Sequence, residues 1–211
     1  MKYTNIIWDW NGTLLNDVEW CREIVNIMLG KRNLQTLNSI EAYYKVFGFP
    51  VIDYYRRVGF DFDKEPFEVL AEEYIELYHE RECRMSLFKD AKDVLANLNE
   101  KGISQIILSA SEQEMLNSQV KQFDIDSYFD EVLGISNIYA ASKIDIGKAY
   151  IERIKPQKAI LIGDTIHDKE VADALGVDCM LIANGHQNKG ALISTGAVVK
   201  NSLWEAVNAL V

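Results

Sequence analysis

Apolar residues fall into two rhythms along the chain. Short unbroken runs, Ile6-Ile7-Trp8, Ile106-Ile107-Leu108 and Ala159-Ile160-Leu161-Ile162, read as strands buried on both faces. Further strands are predicted near Glu131-Val132-Leu133 and over 178–182. The second rhythm is helical. Val18, Cys21, Ile24, Val25 and Met28 recur at helix spacing, with Gly30 as the expected stop. Phe67, Leu70, Ala71, Tyr74, Ile75 and Tyr78 repeat the pattern. The Val46–Pro50 and Tyr54–Arg57 segments between them read as shorter helices and loops. From Asp90 onward the rhythms alternate. Helices are predicted over 90–100, about 112–122, 145–154 and 168–175, with Gly102 and Gly176 closing two of them; the strand 103–109 lies between the first pair. Such alternation implies a parallel sheet with helices on both faces. The expected division is an α/β core from 1–15 and 85–211. Residues 16–84 would form a helical insertion lying over the strand ends as a cap.

Three predicted strands end in polar residues: Asp9, Ser109 and Asp164. In open α/β sheets that edge is where ligands bind. Asp9 leads into Trp10-Asn11-Gly12-Thr13, a tight turn, and Asp164 into Thr165-Ile166-His167-Asp168.

Composition narrows the chemistry. The net charge of -10 leaves no basic stripe for a nucleic-acid backbone. It leaves room for a small phosphate held by a metal and one lysine. No long apolar stretch suggests a membrane span, and no signal segment opens the chain, so a cytoplasmic protein is expected. Cys21, Cys83 and Cys179 show no zinc or disulfide spacing and read as buried free thiols.

Taken together, these residues resemble the haloacid dehalogenase superfamily of phosphotransferases and hydrolases, over essentially the whole chain and nearest its phosphoglycolate-phosphatase-like branch. Asp9-Trp10-Asn11-Gly12-Thr13 resembles the first motif and Ser109 the second. Lys143, in Ala141-Ser142-Lys143, resembles the third, with Lys148 a weaker candidate. Gly163-Asp164 through Asp168 resembles the fourth. The resemblance implies a Rossmann-like core with a helical cap. It also implies a magnesium-dependent phosphohydrolase of a small phosphorylated metabolite, as a monomer or small homo-oligomer. Asp9 would be the nucleophile and form an aspartyl-phosphate, since a carboxylate attacks without prior deprotonation. Magnesium would sit on Asp9, Asp164 and the backbone carbonyl of Asn11, with Asp168 as ligand or outer partner. Ser109, Ala110 and backbone groups near Gly12 and Thr13 would hold phosphoryl oxygens. Lys143 would neutralise the remaining charge.

Position 11 departs from the pattern. Phosphatases of the family carry an Asp there, which protonates the leaving group and later activates water. An amide does neither. One consequence is slow hydrolysis or a requirement for good leaving groups, and an Asp at position 11 would then raise turnover. Another is phosphonatase-like cleavage of a carbon–phosphorus bond, for which Lys45 in Lys45-Val46-Phe47-Gly48 resembles a Schiff-base lysine. A third is a phospho-ligand-binding pseudoenzyme. The bland alternatives are also concrete. Asp168 would suit a helix cap. Lysines are most often solvated. His167 reads as an exposed motif residue, and Trp8, Trp10, Tyr43-Tyr44 and Tyr54-Tyr55 as packing aromatics.

Overall fold

The computed structural model describes residues 2–135 and 143–210. Its centre is β1 (Asn5–Trp8), buried along its whole length. Alternation sends Ile6 and Trp8 to one side of the sheet and Ile7 to the other, into two separate apolar clusters. A strand with both faces covered needs apolar residues at every position, which is why the sequence shows runs rather than alternation.

After β1 the chain makes a short strand, β2 (Leu15–Asn16), then four helices: α1 (Val18–Lys31), α2 (Ile40–Val46), α3 (Val51–Val58) and α4 (Phe67–His79). It returns through β3 (Ser86–Leu87), which pairs antiparallel with β2. The excursion therefore leaves and re-enters through one two-stranded ribbon. Helices and strands then alternate as α5 (Ala91–Glu100), β4 (Ser104–Glu112), α6 (Gln113–Gln122), β5 (Glu131–Ile135), α7 (Ile144–Ile154), β6 (Ala159–Gly163), α8 (Ile166–Leu175) and β7 (Asp178–Ile182). The end of the chain adds α9 (Lys189–Ile193), β8 (Val198–Lys200) and α10 (Leu203–Asn208). The main sheet runs β5-β4-β1-β6-β7-β8 with every pairing parallel, the Rossmann-like α/β architecture the alternation predicts.

Helices α5 and α10 cover the Ile6/Trp8 face through Val94, Leu95, Leu98, Leu203 and Val207. Helices α7 and α8 cover the Ile7 face through Tyr150, Val171, Ala172 and Leu175. The four inserted helices belong to the first cluster: Met28, Tyr43, Tyr55 and Leu70 are fully or nearly fully buried within it.

Several boundaries differ from the sequence reading. α1 runs through Gly30 to Lys31, and the left-handed residue that follows is Asn33. β4 continues beyond Ser109 to Glu112, with an irregular register after Leu108. α8 starts at Ile166 rather than Asp168, because Thr165 is its N-cap. β2, β3 and the three elements after β7 have no counterpart in the prediction. They are two to six residues long, too short for a period to register. Of the cysteines only Cys21 is buried; Cys83 is exposed and Cys179 half-buried. No helix of the described residues is long and apolar enough to cross a membrane.

Candidate active site

β1 and β6 pair in register, and the Asp9 N–H continues that pairing to the Ile162 carbonyl at 2.9 Å. Asp9 and Asp164 thus leave adjacent strands at the same edge. The turn after Asp9 requires Gly12 twice over. Its φ is +74°, and a Cβ there would lie 2.4 Å from Asp164 Oδ2 and 2.5 Å from His186 Cδ2. Thr13 Oγ1 stands 3.2 Å from Asp9 Oδ2 and 3.0 Å from Asp164 Oδ1, linking the two carboxylates. The loop after β7 covers the other side of Asp164, whose Oδ2 accepts the His186 N–H. Gly185 permits that approach, since its Cβ would fall 2.1 Å from the same oxygen.

Lys143 lies just before α7, with the ammonium buried and shared between Asp9 Oδ1 at 2.6 Å and Asp168 Oδ1 at 2.8 Å. Asp168 is held from behind. Its Oδ2 accepts from Thr165 Oγ1 at 2.7 Å, Thr165 N–H at 3.0 Å and Asp164 N–H at 3.2 Å. It is therefore both the third helical residue of the capping box that Thr165 opens and a partner of the site lysine. Lys148 is exposed on α7 and takes no part. Ala141 and Ser142 lie outside the described residues.

Asp9, Asp164 and Asp168 offer carboxylate oxygens within 4.8 Å of one another, all buried. Burial pushes Asp9 above the ordinary carboxylate range and neighbouring Asp168 adds to it, while Lys143 opposes both. Burial drives Asp164 further up; the charge of His186 counteracts it, and Asp9 and Asp168 reinforce it. Asp168 goes the other way, because Lys143 and Thr165 more than offset its burial. Lys143 is buried as well, yet Asp168 and Asp9 hold it well above its ordinary range and so protonated. Buried oxygen donors carrying excess negative charge fit a hard divalent cation.

Asn11 does not face this cluster alone. Its Nδ2 donates to Asp17 Oδ2 at 2.7 Å and to the Tyr78 hydroxyl at 2.9 Å, and its Oδ1 accepts from Ser111 Oγ at 2.7 Å. Asp17 is fully buried. It also accepts from Gly12 N–H at 3.0 Å and the Tyr78 hydroxyl at 3.1 Å, with His186 Nε2 at 3.2 Å. Its carboxyl stays below the ordinary range despite burial because His186, Asn11 and Cys21 hold the charge. Burial lowers His186, but Asp17 and Asp164 raise it more, to about 9, so the imidazole is protonated at neutral pH. The Tyr43 hydroxyl lies 2.8 Å from its Nδ1.

Asp17 and His186 are absent from the sequence reading. Asp17 looks like any acid ahead of a helix. His186 carried one usable signal: Gly185-His186 follows a predicted strand and so belongs at the same sheet edge. Two expectations change. The Gly12 N–H is taken by Asp17 and Leu15, and the Thr13 N–H by the Trp10 carbonyl, so neither is free for a phosphoryl oxygen. Lys45 is exposed in the last turn of α2, outside the cavity over the carboxylates. That cavity, of about 170 Å³, is lined by Asp9, Ser109, Ala110, Ser111 and Lys143. Side chains of α3 and α4 line it as well. His167 is half-buried rather than exposed, stacked on Phe49 with ring centroids 4.6 Å apart. The tryptophans are packing residues with their indole N–H groups satisfied: Trp8 by Gln105 at 3.1 Å, Trp10 by Gln119 at 2.7 Å.

Comparison with known proteins agrees with this geometry. Residues 6–182 match the haloacid dehalogenase-like hydrolase family. PpaX of Caldanaerobacter subterraneus subsp. tengcongensis, a candidate pyrophosphatase, is 27% identical over 188 residues, covering 84% of this chain and 80% of PpaX. A haloacid dehalogenase-like family hydrolase from Streptococcus pneumoniae superposes with a TM-score of 0.86 at 19% identity, over 100% of this chain and 99% of its own. A candidate phosphoglycolate phosphatase from Lactobacillus delbrueckii subsp. bulgaricus superposes with a TM-score of 0.80 at 18% identity, with the same coverage. With the strand-end aspartates, the buried lysine and a family match over most of its length, this chain belongs to the haloacid dehalogenase-like hydrolases.

Proposed function

We propose that the protein is a magnesium-dependent phosphohydrolase acting on a small phosphorylated metabolite in the cytoplasm through Asp9. The observation that carries this reading is the buried Asp9–Lys143–Asp168 chain beside Asp164 at the sheet edge. Lys143 opposes the burial that raises Asp9, and an ionised carboxylate is a nucleophile without a base. Asp9, Asp164 and the Asn11 backbone carbonyl would hold magnesium, and Asp168 would orient Lys143. Magnesium supplies charge neutralisation between the attacking carboxylate and the phosphoryl group. Ser109 presents its hydroxyl from β4 to the phosphoryl oxygens, taking the place of the occupied turn N–H groups, while the Ser111 hydroxyl is donated to Asn11 Oδ1. The inserted helices, residues 16–84, act as the cap that closes the chamber and excludes water. The exposed position of Lys45 argues against carbon–phosphorus cleavage through a cap Schiff base.

A panel of phosphomonoesters assayed with and without magnesium tests this. Turnover should require magnesium and fall by roughly 10³-fold or more in Asp9→Asn, whose fold should persist. Wild-type rates in Asp9→Asn, or full activity in excess chelator, would overturn the mechanism. A chain that binds phosphate but turns over nothing on the panel would be a pseudoenzyme.

A further inference from the structure

The chamber above Asp9 is unlike a site for a doubly anionic metabolite. Its wall includes Phe47, Phe49, Tyr54, Phe67, Tyr74 and Met115. Among the described lining residues the basic side chains are Lys143, His167 and His186. Each is committed: Lys143 to Asp9 and Asp168, His186 to Asp17, and His167 to Glu170 at 3.2 Å. Residues 136–142, Ser-Asn-Ile-Tyr-Ala-Ala-Ser, contain no basic residue either. A carboxylate or second phosphate on the leaving group would be desolvated there without a partner, at a cost of several kcal/mol. One polar atom in the apolar wall is unused. The Tyr54 hydroxyl is buried and has no hydrogen-bond partner among the described residues.

Asn11 points the same way on independent grounds. With no proton to offer, it favours a leaving group that departs as a stable anion. A phenolate derives from an acid of pKa about 10, against about 15.7 for an oxygen acid as weak as water.

We infer, resting on the phosphohydrolase reading of this same site, that the substrate is an aryl phosphate: a phosphomonoester of a small, uncharged phenol carrying a neutral polar group for Tyr54. In the first step an Asp9 oxygen bonds to phosphorus, the phosphorus–oxygen bond to the aryl group breaks, and its electron pair leaves as phenolate. In the second, water attacks phosphorus and frees the Asp9 carboxylate. The water proton ends on the phenolate, so aryl phosphate and water give phenol and inorganic phosphate.

Binding and turnover separate this inference from the underlying reading. Calorimetric titration of the wild-type chain in magnesium buffer should show phenylphosphonate binding roughly tenfold or more tighter than phosphonoacetate. Turnover should rank phenyl phosphate above phosphoglycolate and pyrophosphate by a similar factor. At least one of the 2-, 3- and 4-hydroxyphenylphosphonates should bind tighter than phenylphosphonate, and lose that gain in Tyr54→Phe. Val51→Arg adds a cation to the chamber wall and should improve phosphonoacetate binding. Equal or tighter binding of phosphonoacetate by the wild type, or binding of neither ligand, would overturn the aryl specificity. Loss of the hydroxyphenyl gain from the wild type would remove Tyr54 from it. Tight phenylphosphonate binding without turnover of any phosphomonoester would instead remove the phosphohydrolase reading and leave an aryl-phosphonate site.

Discussion

Asn11 shows how much one side chain can mean different things at different levels of description. As a letter in a motif it is a missing acid. In the structure it is a donor matched to a buried carboxylate, with both amide protons and the carbonyl oxygen engaged. This changes what the Asn11→Asp variant should do. A carboxylate at position 11 would meet Asp17 Oδ2 where an N–H stood at 2.7 Å, replacing a charge-assisted bond by repulsion. The expected result is a loss of about 1–3 kcal/mol of stability in urea denaturation rather than a simple gain in rate. Asp17→Asn in the same chain should recover most of it, since the two positions share one network. A single variant as stable as wild type would show that the Asn11–Asp17 bond contributes little. Asp9 and Lys143 make the complementary point, because the ammonium that opposes the effect of burial on Asp9 lies 134 positions away in sequence.

At the scale of elements, the inserted helices are tied together by charge as well as by aromatic packing. Arg32, at the end of α1, donates to Glu65 from Nε and Nη2 at 2.6 Å each, and to Glu73 of α4 from Nη2 at 2.6 Å. Arg32 holds Glu65 below the usual range; burial raises Glu73, but Lys31 and Arg32 more than offset it and hold Glu73 below the usual range too. Because both folded-state values are depressed, their contribution is present above about pH 4.3, the ordinary glutamate value, and is lost as pH falls through the depressed values. These groups are only partly buried, so solvent screening keeps the effect near 1 kcal/mol. Arg32→Met should lower stability by about that amount at pH 7 and by less at pH 3. Thermal denaturation at the two pH values measures both; an equal loss at each would show that Arg32 acts through packing alone.

Across the whole molecule, folding gathers four aspartates, one lysine and one histidine into a single buried polar centre between the sheet edge and the inserted helices. On the proposed function, excess buried negative charge would destabilise the metal-free fold and magnesium would be a stabilising ligand. At a concentration one hundred times its dissociation constant, a ligand specific for the folded state adds about 2.7 kcal/mol. Magnesium should therefore raise the melting temperature of the wild type. Asp164→Ala should abolish the increase while relieving the buried charge. A magnesium response unchanged in Asp164→Ala would place the cation elsewhere.

Periodicity and strand-end chemistry are local properties, and they were readable. The β6 and β7 runs coincide with the predicted 159–163 and 178–182, because β6 is buried throughout and β7 over its last three residues, and strand positions covered on both faces favour apolar residues. Asp9 and Asp164 were recognisable for a related reason: parallel strands deliver their C-terminal residues to one edge, whatever lies between them in sequence. What lies across that edge was not readable. Asp17, Tyr78, Ser111 and His186 come from a loop, α4, β4 and the loop after β7. Nothing in their local sequence encodes who their neighbours are. The same holds for Lys45, whose short motif match could not show that its turn of α2 faces solvent, and for the Gly12 N–H, whose partner is Asp17. Local pattern determined the sheet and its acidic edge. Only long-range packing decided which hydrogen bonds close around Asn11 and which side chains wall the chamber, because those contacts join segments that the chain keeps apart.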